Sequence, residues 1–224
     1  MADASLPPFP FLSHQKFAWT CEAFVWAFDQ CEDQEDWRSA RIVKSPTGPC
    51  LRIIREVRPD HEAPDPLPEL EDHDSDPEAL VRPPSAPFLT VEYDIHLSPT
   101  YQVPTLYFSI RDAFGQPIMS VDTIYRLLVS GYHAPELRAT GIMGGLGMVN
   151  HPMTDRPVFF IHPCQTADAL SAIGGEREVL LVEYLFMWMG VIGACVGLNV
   201  PLQMAQALGM TTWKEDIDSK DEVG

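Results

Sequence analysis

Phe159-Phe160-Ile161-His162-Pro163-Cys164-Gln165-Thr166-Ala167-Asp168 is a change of secondary structure written into one short stretch. Aromatic and β-branched residues fit a buried strand, the proline stops it, and the small and polar residues that follow fit the opening of a helix. A thiol held at such a junction feels the positive end of the helix dipole, and the imidazole beside it adds to that field. Both effects favour thiolate over thiol and raise nucleophilicity. The same cysteine also fits a buried structural role at a strand end. Locally, both readings stay open.

Working outward toward the C-terminus, Thr166 to Ile173 fits a short helix stopped by Gly174-Gly175. Glu176 to Leu198 is the most apolar run and is close to the length a bilayer requires, about 20 residues. Glu183 interrupts it, and Gly190, Gly193 and Gly197 weaken it, so a buried core helix is the expectation. Pro201 ends the run, and Lys214 to Gly224 reads as an acidic, frayed tail. On the other side of the junction, Asn150-His151-Pro152 precedes the strand. The glycines between Gly141 and Gly147 imitate a phosphate loop but lack its Gly-Lys-Ser/Thr ending, which leaves a flexible connection.

Further upstream, Phe88 to Leu97 and Val103 to Arg111 alternate as strands do, and Gly115-Gln116-Pro117 is a turn. Asp122 to Ser130 reads as a short helix with Ile124, Leu127 and Leu128 inward. Trp37 to Lys44 and Cys50 to Val57 form a hairpin about Ser45-Pro46-Thr47-Gly48-Pro49. Between the two pairs of strands, Pro59 to Glu78 is acidic and proline-rich, and reads as a disordered insertion. His61 and His73 within it are solvated rather than metal ligands, since nothing there fixes their geometry. Ser13 to Cys31 is the first helix, with Ser13 as N-cap and Phe17, Cys21, Phe24, Val25 and Phe28 at helical spacing. Trp19 and Trp26 lie seven apart on another face; a docking surface is one reading, and a broad core stripe is the expectation. The order of elements is helix, antiparallel meander, reactive segment, helices. That predicts an α+β fold with the sheet covered on one side, in a single domain over 1–224 with 59–86 and 214–224 disordered.

Composition narrows the function. The chain of 224 residues is 46% hydrophobic, enough for a folded core, and carries a formal net charge of -17. With no cluster of Lys and Arg, neither nucleic acid nor an anionic membrane surface is the expected partner. Its five cysteines are odd in number and show no C-x-x-C spacing, which disfavours a disulfide framework and a zinc site alike. No cofactor is expected. Met1 to Pro8 has no basic segment leading into an apolar core, so it does not read as a signal peptide, and a reducing, cytosolic setting fits best.

The His162-Pro163-Cys164 triplet, with Phe159-Phe160 before it and Thr166 after it, resembles the autophagy branch of ubiquitin-conjugating-type enzymes. Two more stretches, Tyr101-Gln102-Val103-Pro104-Thr105-Leu106-Tyr107-Phe108 and Val196-Gly197-Leu198-Asn199-Val200-Pro201-Leu202, narrow the resemblance to the autophagy-related protein ten family. It covers the chain from about Phe88 to Ala205, and more loosely the first helix and hairpin. The resemblance implies a ubiquitin-conjugating-enzyme-like fold and an autophagy conjugating enzyme. Such an enzyme accepts a ubiquitin-like modifier (autophagy-related protein twelve) from an activating enzyme (protein seven) and passes it to a lysine of an acceptor (protein five). By motif matching Cys164 forms the thioester, and Tyr101 and His162 match positions that line the catalytic centre. Ubiquitin-conjugating enzymes at large carry His-Pro-Asn upstream of the cysteine, where the asparagine acts near the oxyanion. Here only the permuted Asn150-His151-Pro152 stands upstream, and Asn150 is the candidate for that task.

The chemistry is consistent with such a site. Exchange between thioesters is nearly thermoneutral and needs an accessible thiolate and a docked partner. Attack by a lysine, with an ordinary pKa of about 10.4, needs desolvation, alignment and an oxyanion donor. Backbone N–H groups at the helix start are one source of that donor, Tyr101 can place or desolvate the lysine, and Pro163 stiffens the approach. His162 either bonds locally or serves the turn structurally. Two alternatives stand beside this reading: a Cys/His isopeptidase-like hydrolase, which requires an oriented histidine base among His133, His151 and His162, and a non-catalytic interaction module on the same fold.

Overall fold

The computed structural model describes residues 8–31, 34, 37–58, 88–129, 145–175 and 177–207. The acidic insertion, the C-terminal tail, His61, His73 and His133 lie outside the described residues. Helix α1 (His14–Asp29) begins where Ser13 turns its side chain to accept the Lys16 N–H at 3.2 Å. It buries Phe17, Thr20, Cys21, Phe24, Ala27 and Phe28. The tryptophans depart from the expectation: Trp19 is 44% and Trp26 61% exposed, because the core stripe passes on the far side of the helix.

Strands β1 (Trp37–Ser45), β2 (Gly48–Val57), β3 (Leu89–Leu97) and β4 (Pro104–Arg111) form an antiparallel meander. The hairpin turn between β1 and β2 sits where the proline and glycine cluster put it, with Gly48 at φ +118. A two-residue strand β5 (Pro117–Ile118) folds back on β4, and helix α2 (Val121–Leu128) follows, capped by Ser120. The sheet is then completed by a hairpin, β6 (Leu146–Asn150) and β7 (Pro157–Ile161), giving the order β1-β2-β3-β4-β7-β6.

Strand β6 departs from the flexible connection expected at its first residues. Gly147 pairs with Phe160, and a Cβ at Gly147 would come within 2.7 Å of the Phe160 ring, so this glycine makes room for an aromatic side chain.

Beyond β7 come a 3-10 turn (Pro163–Gln165), α3 (Thr166–Gly174), α4 (Leu181–Val191), a second 3-10 turn (Gly193–Val196) and α5 (Leu202–Ala207). The long apolar run is thus broken into short pieces, and among the described residues no helix is long and apolar enough to cross a membrane. Glu183 is integral to it: its carboxylate accepts the Leu180 N–H and pairs with Arg177 at 2.8 Å.

Pleat alternation sorts the sheet into two faces. One carries Leu51, Ile53, Val91, Tyr93, Ile95, Leu106, Phe108, Ile110, Phe159 and Ile161, all buried with α1 and α4 in one core. Phe24 bridges the layers, its ring 5.0 Å from Phe186 and 6.0 Å from Trp37. The fold is α+β with helices on one face, as the sequence predicts. The opposite face is not apolar: its register aligns Arg52, Asp94, Tyr107 and Phe160 across four strands.

Candidate active site

Cys164 is exposed at the end of β7, in the single-turn 3-10 segment that leads into α3. The other four cysteines are buried. Burial pushes the Cys21 and Cys50 thiols well above the ordinary cysteine range, and that of Cys31 upward as well, so these are held as inert thiols. The junction is stiffened from within. Pro163 is buried and fixes the first φ of the turn. His162, just before it, turns its ring back so that Nδ1 accepts the Cys164 N–H at 3.2 Å. That bond leaves Nδ1 without a proton and places the hydrogen of the neutral ring on Nε2. The Thr166 N–H is given to the Pro163 carbonyl.

These two bonds revise the sequence reading of the helix start. The backbone donors at Cys164 and Thr166 already have partners in the resting turn, so neither is an open donor for an oxyanion.

Tyr101 is brought to the same place from 63 positions away in the chain. Its ring lies edge-on to His162 with centroids 5.4 Å apart, and it is 38% exposed. The turn that presents it is well defined. Its N–H is accepted by Ser98 Oγ, Gln102 takes a left-handed φ of 54, and the Gln102 carbonyl accepts the Leu12 N–H at 2.8 Å. The Phe160 ring lies 6.1 Å from His162 on another side. Cys164, His162 and Tyr101 are therefore brought together at the surface.

Asn150 is elsewhere. In the register of the hairpin Leu146 faces Ile161 while Asn150 faces Pro157, so it stands at the far end of β7 from the thiol, about 13 Å along a strand rising roughly 3.3 Å per residue. There its amide donates to Asp155 Oδ1 at 3.0 Å and closes the hairpin loop. The structure does not bring Asn150 to Cys164.

The neighbour of Asn150 heads a cluster that local sequence reasoning missed. His151 folds over the polar face of the sheet and is 5% exposed; its Nδ1 accepts the Met153 N–H at 3.1 Å. Its Nε2 stands 2.9 Å from Asp94 Oδ2, in ion-pair range. Arg52 grips the same carboxylate with both arms, Nε to Oδ1 at 2.7 Å and Nη2 to Oδ2 at 2.6 Å. Burial alone would raise the Asp94 pKa, but the contacts with His151 and Arg52 outweigh it and hold the group at about 2. His96 lies beside them, its ring 5.5 Å from Tyr107 and 5.6 Å from His151, and burial lowers its pKa to about 4.

Donor atoms of Cys50, Asp94 and His96 lie within 4.8 Å of one another. Arg52 already supplies the positive charge this carboxylate needs, and the Cys50 thiol is kept protonated, so the cluster reads as a protein-only ion pair rather than a metal centre. A cleft of about 700 Å³, lined by Arg52, Asp94, Tyr107, His151 and Arg156 among others, opens over this face and not over the thiol. Only the long-range pairing of β3 with β2 could have revealed the cluster, because its members come from three distant parts of the chain.

A family model described as the active-site domain of autophagocytosis-associated protein matches residues 14–203. The ubiquitin-like-conjugating enzyme ATG10 of Gibberella zeae is 42% identical over 138 residues, 61% of this chain and 57% of that protein. The human ATG10 of the same description is 31% identical over 118 residues, 52% of each chain, and that of Arabidopsis thaliana 32% over 119 residues, 50% of this chain and 52% of that one. The chain spans about half the length of the curated relatives it matches. Among solved structures, the crystal structure of the autophagic E2 Atg10 aligns with a TM-score of 0.44 at 17% identity, covering 88% of this chain and 100% of the other.

Proposed function

The chain belongs to the autophagocytosis-associated protein active-site family, alongside the conjugating enzymes named ATG10, and from that premise we propose that it is a ubiquitin-like-conjugating enzyme acting through Cys164. The observation that carries the proposal is the contrast among its cysteines: Cys164 alone is exposed, at a strand-to-helix junction with a histidine and a tyrosine beside it.

In the first step the Cys164 thiolate attacks the C-terminal carbonyl of a ubiquitin-like modifier held as a thioester on an activating enzyme. The new thioester forms as the activating enzyme's thiolate leaves. In the second step a lysine amine of an acceptor attacks the Cys164 thioester, the tetrahedral intermediate expels the Cys164 thiolate, and the nitrogen loses its proton to give an isopeptide bond. Tyr101 and the His162 ring flank the approach and exclude water from one side of the incoming amine, which favours its neutral form. His162 Nδ1 holds the Cys164 backbone in place, and its Nε2–H is the nearby donor that can meet developing negative charge. The partners in this reading are autophagy-related protein twelve as modifier, protein seven as activating enzyme and protein five as acceptor, in a reducing, cytoplasmic setting that keeps the thiol free.

A hydrolytic role is the weaker reading. His162 directs its basic nitrogen at a backbone N–H, and among the described residues no carboxylate orients its ring. The test is incubation with modifier, activating enzyme and ATP, followed by gels with and without reductant. A reductant-sensitive adduct is expected, abolished by Cys164→Ala and converted by Cys164→Ser to a reductant-resistant oxyester. Modifier cleavage without ATP, or folded protein that forms no adduct with active partners, would overturn the proposal.

A further inference from the structure

Helix α1 keeps its phenylalanines in the core and turns its two tryptophans to the outside. Trp19 and Trp26 are separated by seven residues, two helical turns, so they stand about 10.5 Å apart on one ridge. At 44% and 61% exposure they are the two most solvent-facing tryptophans of the described residues, on a residue type that usually hides most of its surface. Ala23 lies between them in the sequence, and its small side chain adds little bulk there.

The rim of this ridge is acidic. Glu22 and Asp29 are exposed along one flank, and among the described residues neither has a hydrogen-bond or ion-pair partner. Asp29 sits in the last turn of α1, where the helix dipole disfavours a carboxylate and no basic residue relieves it. A basic group would find cation–π faces and unpaired carboxylates together here.

This charge also argues against the chain's own segments as the occupant. The stretch 59–87 holds nine acidic residues and one arginine, the stretch 208–224 is acidic as well, and a second copy would bring another net charge of -17. We propose that the Trp19–Trp26 ridge of α1, rimmed by Glu22 and Asp29, docks a basic amphipathic helix of another protein. Apolar residues of that helix at i, i+3 and i+7 sit between and beside the two indoles, and its lysines or arginines reach Glu22 and Asp29. The inference does not rest on the thiol chemistry, since it uses only residues of α1.

The probe is a synthetic 18-residue helical peptide with a leucine face and lysine flanks, paired with one carrying glutamate in place of lysine. Titrations of the full chain are read from indole N–H resonances. The lysine peptide is expected to shift the Trp19 and Trp26 signals while Trp37 and Trp188 stay still. Affinity should fall at least tenfold in Trp19→Ala/Trp26→Ala and in Glu22→Lys/Asp29→Lys, and less than twofold in the charge-matched Asp122→Lys/Glu178→Lys. Cys164→Ala protein should bind the peptide as wild type does, which separates this result from any failure of thioester loading. Should the tryptophan variant lose its fold, the charge-reversed pair decides. Equal binding of the glutamate peptide, indifference to the α1 substitutions, or indole shifts that follow protein concentration alone would overturn the proposal.

Discussion

Two histidine-proline pairs stand at opposite ends of the β6–β7 hairpin, built on the same local plan and sent to opposite environments. At His151-Pro152-Met153 and at His162-Pro163-Cys164, the ring nitrogen Nδ1 accepts the N–H two residues on, at 3.1 and 3.2 Å. The proline bends the chain and the histidine staples the bend. Both rings touch one aromatic stack, in which Tyr107 and Phe160 lie 6.2 Å apart, with His151 beside Tyr107 and His162 beside Phe160. Yet His151 is sealed against Asp94 and Arg52, while the turn made by His162 presents an exposed thiol. The lesson is that the staple is a structural device, and the surroundings decide whether what it presents is chemically available.

The sharpest way to break this comparison is to disturb the buried end. Asp94→Ala takes the two-armed partner from the Arg52 guanidinium, 16% exposed at its side chain, leaves it only the more exposed Glu92 at 3.2 Å, and removes the contact of His151. A loss of about 1.5–3 kcal/mol in unfolding free energy is expected from removing hydrogen bonds to a charged group that keeps one remaining partner. Urea denaturation of the wild type and variant reads it directly, and a loss under about 1 kcal/mol would mean that the cluster does not hold the hairpin down.

Acid should act on the same end. His96, with a folded pKa of about 4 against an ordinary 6.5, takes up its proton in the unfolded chain first. Its contribution is therefore complete above pH 6.5 and drains away as pH falls to 4, at most about 3 kcal/mol. Asp94, lowered from 3.8 to about 2, has the same sign in the next window and loses its contribution below pH 4. Stability measured at pH 7, 5.5 and 4.5 should fall steadily in the wild type, and His96→Gln should flatten that slope. An unchanged slope in the variant would assign the acid sensitivity to another group.

The exposed end predicts smaller effects on stability and larger ones on transfer. His162→Ala removes the staple at Cys164 and should slow discharge onto lysine about fivefold, the equivalent of about 1 kcal/mol for one hydrogen bond, with little loss of unfolding free energy. Asn150→Ala, exposed at the other end of the hairpin and bonded to Asp155, should leave discharge within twofold. A strong defect in Asn150→Ala with normal His162→Ala kinetics would reverse the two ends and return Asn150 to the site.

Much of this molecule was legible without coordinates where the signal is local. Ser13 before an apolar periodicity, the Ser45–Pro49 break, the glycines after Ile173 and the strand–proline–thiol junction each encode their structure within a few residues, and each stands where it was expected. Strand β6 was not legible, because Gly145 and Gly147 read as loop until Phe160 is placed across from Gly147. The outward turn of Trp19 and Trp26 was equally hidden, since helical spacing gives a face but not which face the sheet will cover.

The sequence by itself determined that one cysteine sits between a strand and a helix, that the chain is strongly acidic, and that helices flank an antiparallel sheet. Those follow from short-range preferences and from composition. Only the tertiary structure decided that Tyr101 meets His162, that Asn150 does not, and that Asp94 holds His151 and Arg52 together. Such pairings depend on strand register and on which side of the pleat each residue takes, quantities set by the whole sheet at once rather than by any stretch of it.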